Sequence, residues 1–304
     1  MKNHLTHMHE ARRILSRHVE HGLTKAKSKS LRKIASIGTE RNYRNCLAQY
    51  LTWCEMNGIT PDLRANLLNL NLYLEERTEW VKQKTLNQQR QALQLVFQQE
   101  LPVFRSLNSN VLTKRSYTYD EFKTVVNYQE ERNQITTWLA FFSGIRAHEA
   151  ATLLPRDERE PSQHRYWDER RFSGMNAQFE LYTVVGKGGL IREIAVPRWL
   201  VKTLERARRP APIVVMDREV RYLSYYNIGL GHAWSQSFSA ASKSALGLSR
   251  GGHGLRHSYA KWRLKVLVNL ISEDGPIKLK QEALKILSEE LGHFRLDIVY
   301  AYLR

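Results

Sequence analysis

Four short stretches of the sequence contain residue types that bind anions or transfer protons. The first, SGIRAHEAATLL, places Arg146 just after Gly144 and among apolar residues. Burying an unpaired guanidinium is costly, so such an arginine needs an anionic partner. Glu149 lies three residues further on, shares one helical face with Arg146 and can orient it. Taken alone, this stretch favours a structural Arg–Glu pair.

The second stretch is a glycine-rich turn that contains Lys187, between segments 179–185 and 191–196, which have strand character. A hairpin of this kind projects Lys187 towards whatever the sheet faces. The phosphate-loop signature GxxxxGK[ST] is absent, and the turn joins two strands rather than a strand and a helix. By itself, the turn favours an ordinary exposed lysine.

The third stretch, GGHGLRHSY, contains His253 and Arg256, which a helix would place side by side. A histidine transfers protons near neutral pH, and the fork of an arginine matches phosphate oxygens. The preceding pair of glycines lets the backbone approach a ligand closely. The alternative is a helix that begins with a capping histidine.

The fourth stretch follows a predicted helix that Gly292 ends. His293 then lies in a turn, and Tyr300 and Tyr302 follow on a last short helix. A tyrosine whose hydroxyl is hydrogen-bonded in the core is the ordinary interpretation of this pattern.

In this order, the four stretches resemble the active site of the tyrosine recombinase (phage integrase) family. The family pattern is an Arg after a Gly with a Glu three residues on, a Lys in a β-hairpin, H-x-x-R, and L-G-H with a Tyr nine residues after the His. The matching residues are Arg146 with Glu149, Lys187, His253, Arg256, His293 and Tyr302. The resemblance covers almost everything after residue 36.

The resemblance implies that Tyr302 attacks a DNA phosphodiester and forms a 3′-phosphotyrosine, releasing a 5′-hydroxyl. Arg146 and Arg256 would bracket the non-bridging oxygens as the phosphate gains charge. Lys187 would be the general acid that protonates the leaving 5′-oxygen. Covalent storage of the bond energy makes ATP unnecessary. Fixed cations replace a metal ion, so we expect neither a cofactor nor a metal.

The resemblance also assigns roles to two histidines. His253 would accept the tyrosine proton or hold it in a network, and His293 would donate a hydrogen bond to the phosphate. Tyr300 is a second candidate nucleophile, two residues before Tyr302. The family spacing favours Tyr302, and residues two apart on a helix point to different faces. We therefore expect Tyr300 to pack in the core or to contact a partner.

The function that the resemblance implies is site-specific recombination of duplex DNA, for the integration or excision of a mobile element. Its working form would be a homotetramer assembled on DNA, with accessory recombination proteins as further partners. The alternative is a non-catalytic, sequence-specific DNA-binding regulator derived from a recombinase. A protein that only binds DNA has no use for a placed tyrosine with two arginines, a lysine and two histidines.

The charge of the chain is consistent with a polyanionic partner. Its 304 residues include 47 Lys and Arg against 30 Asp and Glu, a net charge of +17. Two cysteines do not make a disulfide scaffold, and no apolar run approaches the length of a membrane span. No signal peptide is recognisable. We therefore expect a cytoplasmic, nucleoid-associated protein that has no membrane partner.

Hydrophobic periodicity predicts a mainly α-helical chain with a small antiparallel β-sheet. We expect a basic N-terminal arm at 1–36, a helical core-binding domain of about four helices at 37–106, a linker at 107–117 and a catalytic domain at 118–304. The arm should be flexible, apart from a short helix near 10–19, and its histidines solvated. After Pro197 the pattern is mostly helical.

Six basic residues are candidates for contacts with DNA, in the arm, the first bundle helix and the linker. They are Lys25, Lys27, Lys29, Arg41, Lys114 and Arg115.

Three further expectations concern the catalytic domain. Segment 268–280 is predicted to be a polar inserted loop, and His257 to face the exterior of its helix. The cluster that ends at Arg209 fits either an exposed helix end or a phosphate contact. The sequence ends two residues after Tyr302, so we do not expect the C-terminal helix through which many relatives couple their protomers.

Overall fold

The computed structural model describes residues 4–23, 25–60, 66–108, 114–175, 178–270 and 276–303. The side chains of residues 4, 25 and 276–279 lie outside this description. The chain divides into two compact units, Met1–Val111 and Leu112–Arg304. It is mainly α-helical with small antiparallel sheets, which confirms the predicted fold class. No described helix has both the length and the apolar character needed to cross a membrane.

The first unit is built from helices around one apolar core. They are α1 (His4–Leu15), α2 (Lys25–Ser30), α3 (Ile37–Met56), α4 (Leu67–Trp80) and α5 (Gln83–Phe97). The core contains buried side chains from α1, α3, α4 and α5. Helix α3 begins where the Ser36 side chain accepts a hydrogen bond from the backbone N–H of Thr39, at 3.2 Å.

Helix α1 differs from the flexible arm that we expected. Its Ala11 and Leu15 are fully buried in the core that α3 shares, and His7 is also buried. The His7 ring makes a hydrogen bond of 2.9 Å to Thr52 and lies 3.3 Å from Glu55. Because residues four apart share a helical face, a few apolar side chains are enough to attach this basic helix. The first helix thus completes the bundle.

The second unit contains seven helices and two antiparallel sheets among its described residues. The helices are α6 (Tyr119–Val126), α7 (Glu131–Ser143), α8 (Arg198–Arg206), α9 (Gly231–Leu246), α10 (His253–Leu270), α11 (Pro276–Glu290) and α12 (Leu296–Tyr300). One sheet has the order β1 (Leu154–Pro155), β2 (Phe179–Val185), β3 (Ile191–Pro197), and the other pairs β4 (Arg208–Asp217) with β5 (Val220–Tyr226).

The first sheet presents Lys187 as predicted from the hairpin pattern. Strands β2 and β3 pair in register from Phe179 opposite Pro197 to Val185 opposite Ile191. The intervening residues, 186–190, form the turn, which includes a short 3-10 segment from Lys187 to Gly189. The buried sides of this sheet belong to the main core of the unit, with α7 and α9.

Two parts of the second unit differ from the expectations. Residues after Pro197 are mostly helical, as expected, but β4 and β5 form a hairpin among the helices, and Arg208 begins β4 rather than ending a helix. The expected loop at 268–280 is also wrong over most of its length. Helix α10 continues to Leu270, and α11 begins at Pro276, a residue that suits the first helical position. Residues 271–275 lie outside the described part of the chain.

The end of the expected linker belongs to the second unit. Ser116 and Tyr117 are buried, and the Tyr117 backbone N–H donates to the Ser258 hydroxyl at 2.8 Å. The same hydroxyl donates to the Tyr117 carbonyl, also at 2.8 Å. A capping box formed by Thr118 and Glu121 then begins α6. Residues 109–113 of the expected linker lie outside the described residues.

Candidate active site

The glycine that ends α7 allows two helices to meet closely. Gly144 has a φ of +60°, in the left-handed region that favours glycine. A Cβ at this position would lie 2.5 Å from the ring of Tyr259 on α10. The Gly144 carbonyl accepts a hydrogen bond from Nη1 of Arg256, also on α10. The chain therefore leaves α7 beside α10, and Arg146 lies just beyond this junction.

Arg146 and Glu149 form the first ion pair of the site. Glu149 is fully buried at the start of a 3-10 turn, whereas Arg146 is partly exposed. One carboxylate oxygen accepts from Arg146 Nη1 at 2.6 Å, and the other from the Arg146 backbone N–H at 2.9 Å. These two bonds fix both the backbone and the guanidinium of Arg146.

A third arginine, which the sequence analysis did not select, completes the surroundings of Glu149. Arg192 lies on β3 with its side chain 1% exposed. Its Nη2 donates to Glu149 Oε2 at 2.6 Å, and its Nη1 donates to the Glu290 carbonyl at 2.7 Å. A signal was present, because Arg192 shares a strand face with Ile194 and Val196, which are buried.

The charge of Glu149 is held by these arginines. Burial alone would raise the pKa of Glu149, but the charges of Arg192, Arg146 and Arg256 outweigh burial and hold it well below its ordinary value. The carboxylate is therefore ionised at neutral pH. Three guanidinium groups surround one carboxylate, so the site retains an excess of positive charge for an anionic ligand.

Arg256 lies at the centre of the site and is fully buried on the first turn of α10. Its Nε donates to the Tyr302 hydroxyl at 3.2 Å. Its Nη2 donates to the Leu291 carbonyl, near the C-terminal end of α11. Burial and the charge of Arg146 lower the pKa of Arg256 to about 10. The guanidinium thus remains charged at neutral pH.

His293 is placed by Gly292, whose φ of +66° turns the chain at the end of α11. Its Nε2 lies 3.1 Å from Arg146 Nη2, 3.2 Å from Arg256 Nη2 and 3.0 Å from the Tyr302 hydroxyl. Burial and the neighbouring arginines lower the pKa of His293 to about 3. The ring is therefore neutral at pH 7. Guanidinium groups only donate, so we assign the ring proton to Nδ1 and the acceptor role to Nε2.

The structure distinguishes between the two tyrosines near the C-terminal end of the sequence. Tyr302 is 5% exposed, and its hydroxyl reaches Arg256 and His293. Tyr300, the last residue of α12, is 44% exposed. Only Tyr302 of this pair lies in the cluster of predicted site residues. Of the two expectations for Tyr300, packing in the core is wrong, and contact with a partner stays a prediction.

Two histidines of α10 lie beside the Tyr302 ring. The ring centroids of His253 and His257 are 5.4 and 4.9 Å from that of Tyr302. His257 is buried rather than on the helix exterior, and its Nδ1 donates to the Tyr302 carbonyl at 3.1 Å. His253 is exposed on one side, yet desolvation of its ring and the charge of Arg256 lower its pKa. Both rings are neutral at pH 7.

The hairpin turn brings Lys187 near the carboxylate of the site. Lys187 is exposed. Its neighbour Gly186 lies so close to Glu149 that a Cβ at this glycine would be 3.3 Å from Oε1 and 4.0 Å from Arg146 Nη1. The turn therefore borders Arg146 and Glu149, and Lys187 is exposed at the edge of the site.

The predicted DNA contacts are distributed over both units. Lys27 and Lys29 are exposed on α2, Arg41 is half-buried on α3, and Lys114 and Arg115 are exposed before α6. The side chain of Lys25 lies outside the described part of the chain. Arg115 is adjacent to the predicted site, because a Cβ at Gly254 would lie 2.5 Å from its carbonyl. Burial of the His257 ring lowers its pKa, and the charge of Arg115 adds to this effect.

Metal ligands do not cluster among the described residues, since no group of three His, Cys, Asp or Glu side chains is arranged to hold an ion. The chemistry available to the site rests on three arginines, neutral histidines, a lysine at the rim and one buried tyrosine hydroxyl. Arginine forks bind phosphate oxygens, and a tyrosine hydroxyl beside them can form a phosphate ester.

Comparison with solved structures identifies the fold. The chain is similar to the XerH site-specific recombinase bound to palindromic difH substrate in a post-cleavage complex, with a TM-score of 0.57 and 14% identity over 99% of this chain and 92% of that chain. The pre-cleavage complex of XerH with difH gives a TM-score of 0.55 and 15% identity, with the same coverage. No protein-family model and no curated protein matches the chain.

Proposed function

We propose that this chain, which has the fold of the tyrosine site-specific recombinases, cleaves and rejoins duplex DNA through Tyr302. One observation carries the proposal. The Tyr302 hydroxyl is hydrogen-bonded to Arg256 Nε at 3.2 Å and to His293 Nε2 at 3.0 Å, and the same Nε2 contacts Arg146. A nucleophile and two phosphate-binding cations thus meet at one point within one chain.

The phosphate position follows from the two arginines. The Nη2 atoms of Arg146 and Arg256 both approach Nε2 of His293, at 3.1 and 3.2 Å. Two converging guanidinium groups match the non-bridging oxygens of a phosphodiester. We place the scissile phosphate between them, where its oxygens replace Nε2 of His293 as the partner of both arginines, while His293 stays beside the Tyr302 hydroxyl. Attack by Tyr302 adds negative charge at phosphorus, and fixed cations stabilise that charge without reorganising.

The contacts of Tyr302 favour His293 as the acceptor of its proton, rather than His253, to which the family resemblance assigns that role. The hydroxyl accepts from Arg256 and therefore donates to the neutral Nε2 of His293. The negative charge of a bound phosphate raises the proton affinity of this ring, which burial and the neighbouring arginines hold low. His253, beside the Tyr302 ring, then hydrogen-bonds the phosphate, and Lys187 at the rim protonates the leaving 5′-oxygen.

Duplex DNA is the proposed substrate, supported by the net charge of +17 and by the DNA-bound state of the two XerH structures. Exchanging strands between two duplexes requires four cleavages. Each chain carries one Tyr302 in its own site, so we propose a tetramer on DNA, acting in the integration or excision of a mobile element. Phosphate contacts by Lys27, Lys29, Arg41, Lys114 and Arg115 belong to the same proposal.

Covalent trapping tests this function. Nicked duplexes tiled across the DNA that flanks the gene would be incubated with wild type, Tyr302→Phe and Tyr300→Phe, and separated on a denaturing gel. A nick near the cleaved bond releases the 5′-hydroxyl fragment, so the phosphotyrosyl adduct accumulates. We expect an adduct with wild type and with Tyr300→Phe, and none with Tyr302→Phe.

Three outcomes would overturn the proposal in different ways. An adduct lost only in Tyr300→Phe would transfer the nucleophile to Tyr300. Tight binding to one fragment without an adduct would favour a DNA-binding regulator. An adduct that persists in both variants would place the nucleophile outside this pair.

A further inference from the structure

We infer that Arg192 is a positioning residue of this site, which holds Glu149 and the His293 turn in the arrangement that the reaction needs. The inference rests on the proposed function and extends it to a buried residue that does not reach the phosphate. Three independent contacts support it, on the carboxylate, on the end of α11 and on Gly292.

The first contact concerns charge. Glu149 is fully buried and faces Arg192 from β3, Arg146 from its own turn and Arg256 from α10, the last at 4.0 Å. Arg192 and Arg146 each lie 2.6 Å from a carboxylate oxygen of Glu149, and Arg192 is the buried one of the two. Because Arg192 balances the negative charge of Glu149, the positive charge of Arg146 remains available to bind a phosphate. Without Arg192, Arg146 would be the closest counter-ion of Glu149.

The second contact concerns the end of α11. The last carbonyls of a helix have no partner within the helix. Arg192 Nη1 donates to the Glu290 carbonyl at 2.7 Å, and Arg256 Nη2 donates to the next carbonyl, that of Leu291. Two buried arginines therefore bind consecutive carbonyls, the last of them two residues before His293. These two hydrogen bonds hold the end of α11 in the position from which the His293 ring reaches Tyr302.

The third contact explains the glycine before His293. A Cβ at Gly292 would lie 2.7 Å from Cδ of Arg192 and 3.4 Å from its Nε. The positive φ of Gly292 and the approach of Arg192 both exclude a larger residue. The Leu-Gly-His sequence and the strand arginine thus fit each other. One side chain joins β3, the 3-10 turn of Glu149 and the end of α11.

A double-mutant cycle on trapped cleavage tests the role of Arg192. We expect Arg192→Met to slow adduct formation about 100-fold while DNA affinity changes less than about threefold, because small displacements of preorganised groups cost about that much. In a Glu149→Gln background, Arg192→Met should slow adduct formation less than about tenfold, because the negative charge that Arg192 balances is already absent. Arg192→Lys, which keeps the charge, should recover part of the rate.

Arg263→Met is the matched control. Arg263 is also fully buried and pairs with a buried glutamate, Glu290, at 2.9 Å. We expect its loss to lower stability by a similar amount. Arg263→Met should change the rate of adduct formation by the same factor whether residue 149 is Glu or Gln. An equal cost of Arg192→Met in both backgrounds would reduce Arg192 to a structural residue and overturn the inference.

A readout that is independent of cleavage separates this inference from the proposed function. Carboxyl carbon NMR of Glu149 should show its pKa rising in Arg192→Met and unchanged in Arg263→Met. An unchanged pKa in Arg192→Met would overturn the inference even if wild type cleaves DNA. A raised pKa with no wild-type adduct on any fragment would leave the positioning role standing and sink the proposed function.

Discussion

The hydroxyl of Tyr302 lies 3.2 Å from Nε of Arg256, within one chain. The contact joins residues 46 positions apart and is made inside the protein, since Arg256 is fully buried and Tyr302 is 5% exposed. The proposed nucleophile is therefore held in the site of its own chain before DNA arrives. The ring of Tyr302 is also enclosed by His253, His257 and His293.

The roles of two histidines can be separated by substitution. His293 is bonded directly to the Tyr302 hydroxyl, whereas His253 lies beside the ring. We expect His293→Gln to slow adduct formation at least about 100-fold, the scale of a lost proton acceptor, and His253→Gln to slow it less. Rates of trapping on nicked DNA measure both. A larger loss in His253→Gln would assign proton transfer to His253.

Buried neutral histidines make stability fall in acid. Burial lowers the pKa of His257 to about 4, against the opposing effect of its hydrogen bond to the Tyr302 carbonyl. In the unfolded chain, His257 binds a proton near pH 6.5. Its contribution to the free energy of unfolding is therefore complete above pH 6.5 and is lost as the pH falls towards 4. Between pH 7 and 5, the loss from His257 is about 2 kcal/mol.

Urea unfolding at pH 7 and pH 5 measures this effect. His257→Asn keeps a donor near the position of Nδ1 but does not titrate, so its free energy of unfolding should fall by about 2 kcal/mol less than that of wild type. The pKa of His293 is also lowered, to about 3, so His293 contributes the same loss of stability at low pH to wild type and to His257→Asn. Equal losses in the two proteins would contradict the burial of a neutral His257.

Two glycines with the same backbone conformation should respond differently to alanine. Gly144 and Gly247 both follow a helix with positive φ, +60° and +71°. A Cβ at Gly144 meets the Tyr259 ring at 2.5 Å, whereas at Gly247 it meets nothing within 4 Å. We expect Gly247→Ala to cost about 1 kcal/mol and Gly144→Ala about 2 kcal/mol more, because the ring must move.

Thermal or urea unfolding of the two alanine variants checks this difference. Gly144→Ala should also slow cleavage, since its carbonyl accepts from Arg256. A Gly144→Ala protein as stable as Gly247→Ala would mean that the junction of α7 and α10 adjusts freely.

Local patterns predicted the parts of the fold that depend on neighbours in the sequence. The glycine turn and its flanking strands predicted the β2–β3 hairpin, and the spacing of the leucines before Gly292 predicted the part of α11 that follows residue 280. The β4–β5 hairpin was missed because β4 is exposed along most of its length and its sequence, RRPAPIVVMD, does not alternate between apolar and polar residues. Helix α1 was underestimated because its apolar residues are few: Ala11 and Leu15 are buried, and Met8 and Ile14 pack against the same core.

The spacing of the sequence motifs predicted which residues form the site, but not their long-range hydrogen-bond partners. Arg192 Nη1 binds the carbonyl of a residue 98 positions away, and His257 binds the carbonyl of one 45 positions away. Long-range pairs of this kind depend on how helices and strands pack, which no local periodicity encodes. Arg192 lies on the same face of β3 as Ile194 and Val196, but its partners come from the turn of Glu149 and the end of α11, which are distant in the sequence.

The attachment of α1 to the bundle has an entropic consequence. Arg12 and Arg13 lie exposed on a helix whose opposite face is anchored by Ala11 and Leu15. A disordered basic segment loses conformational freedom when it meets a polyanion, which weakens binding. Here the backbone of these two cations is already ordered when the protein folds. A polyanion that they contact meets a fixed spacing of charge, and must conform to the protein.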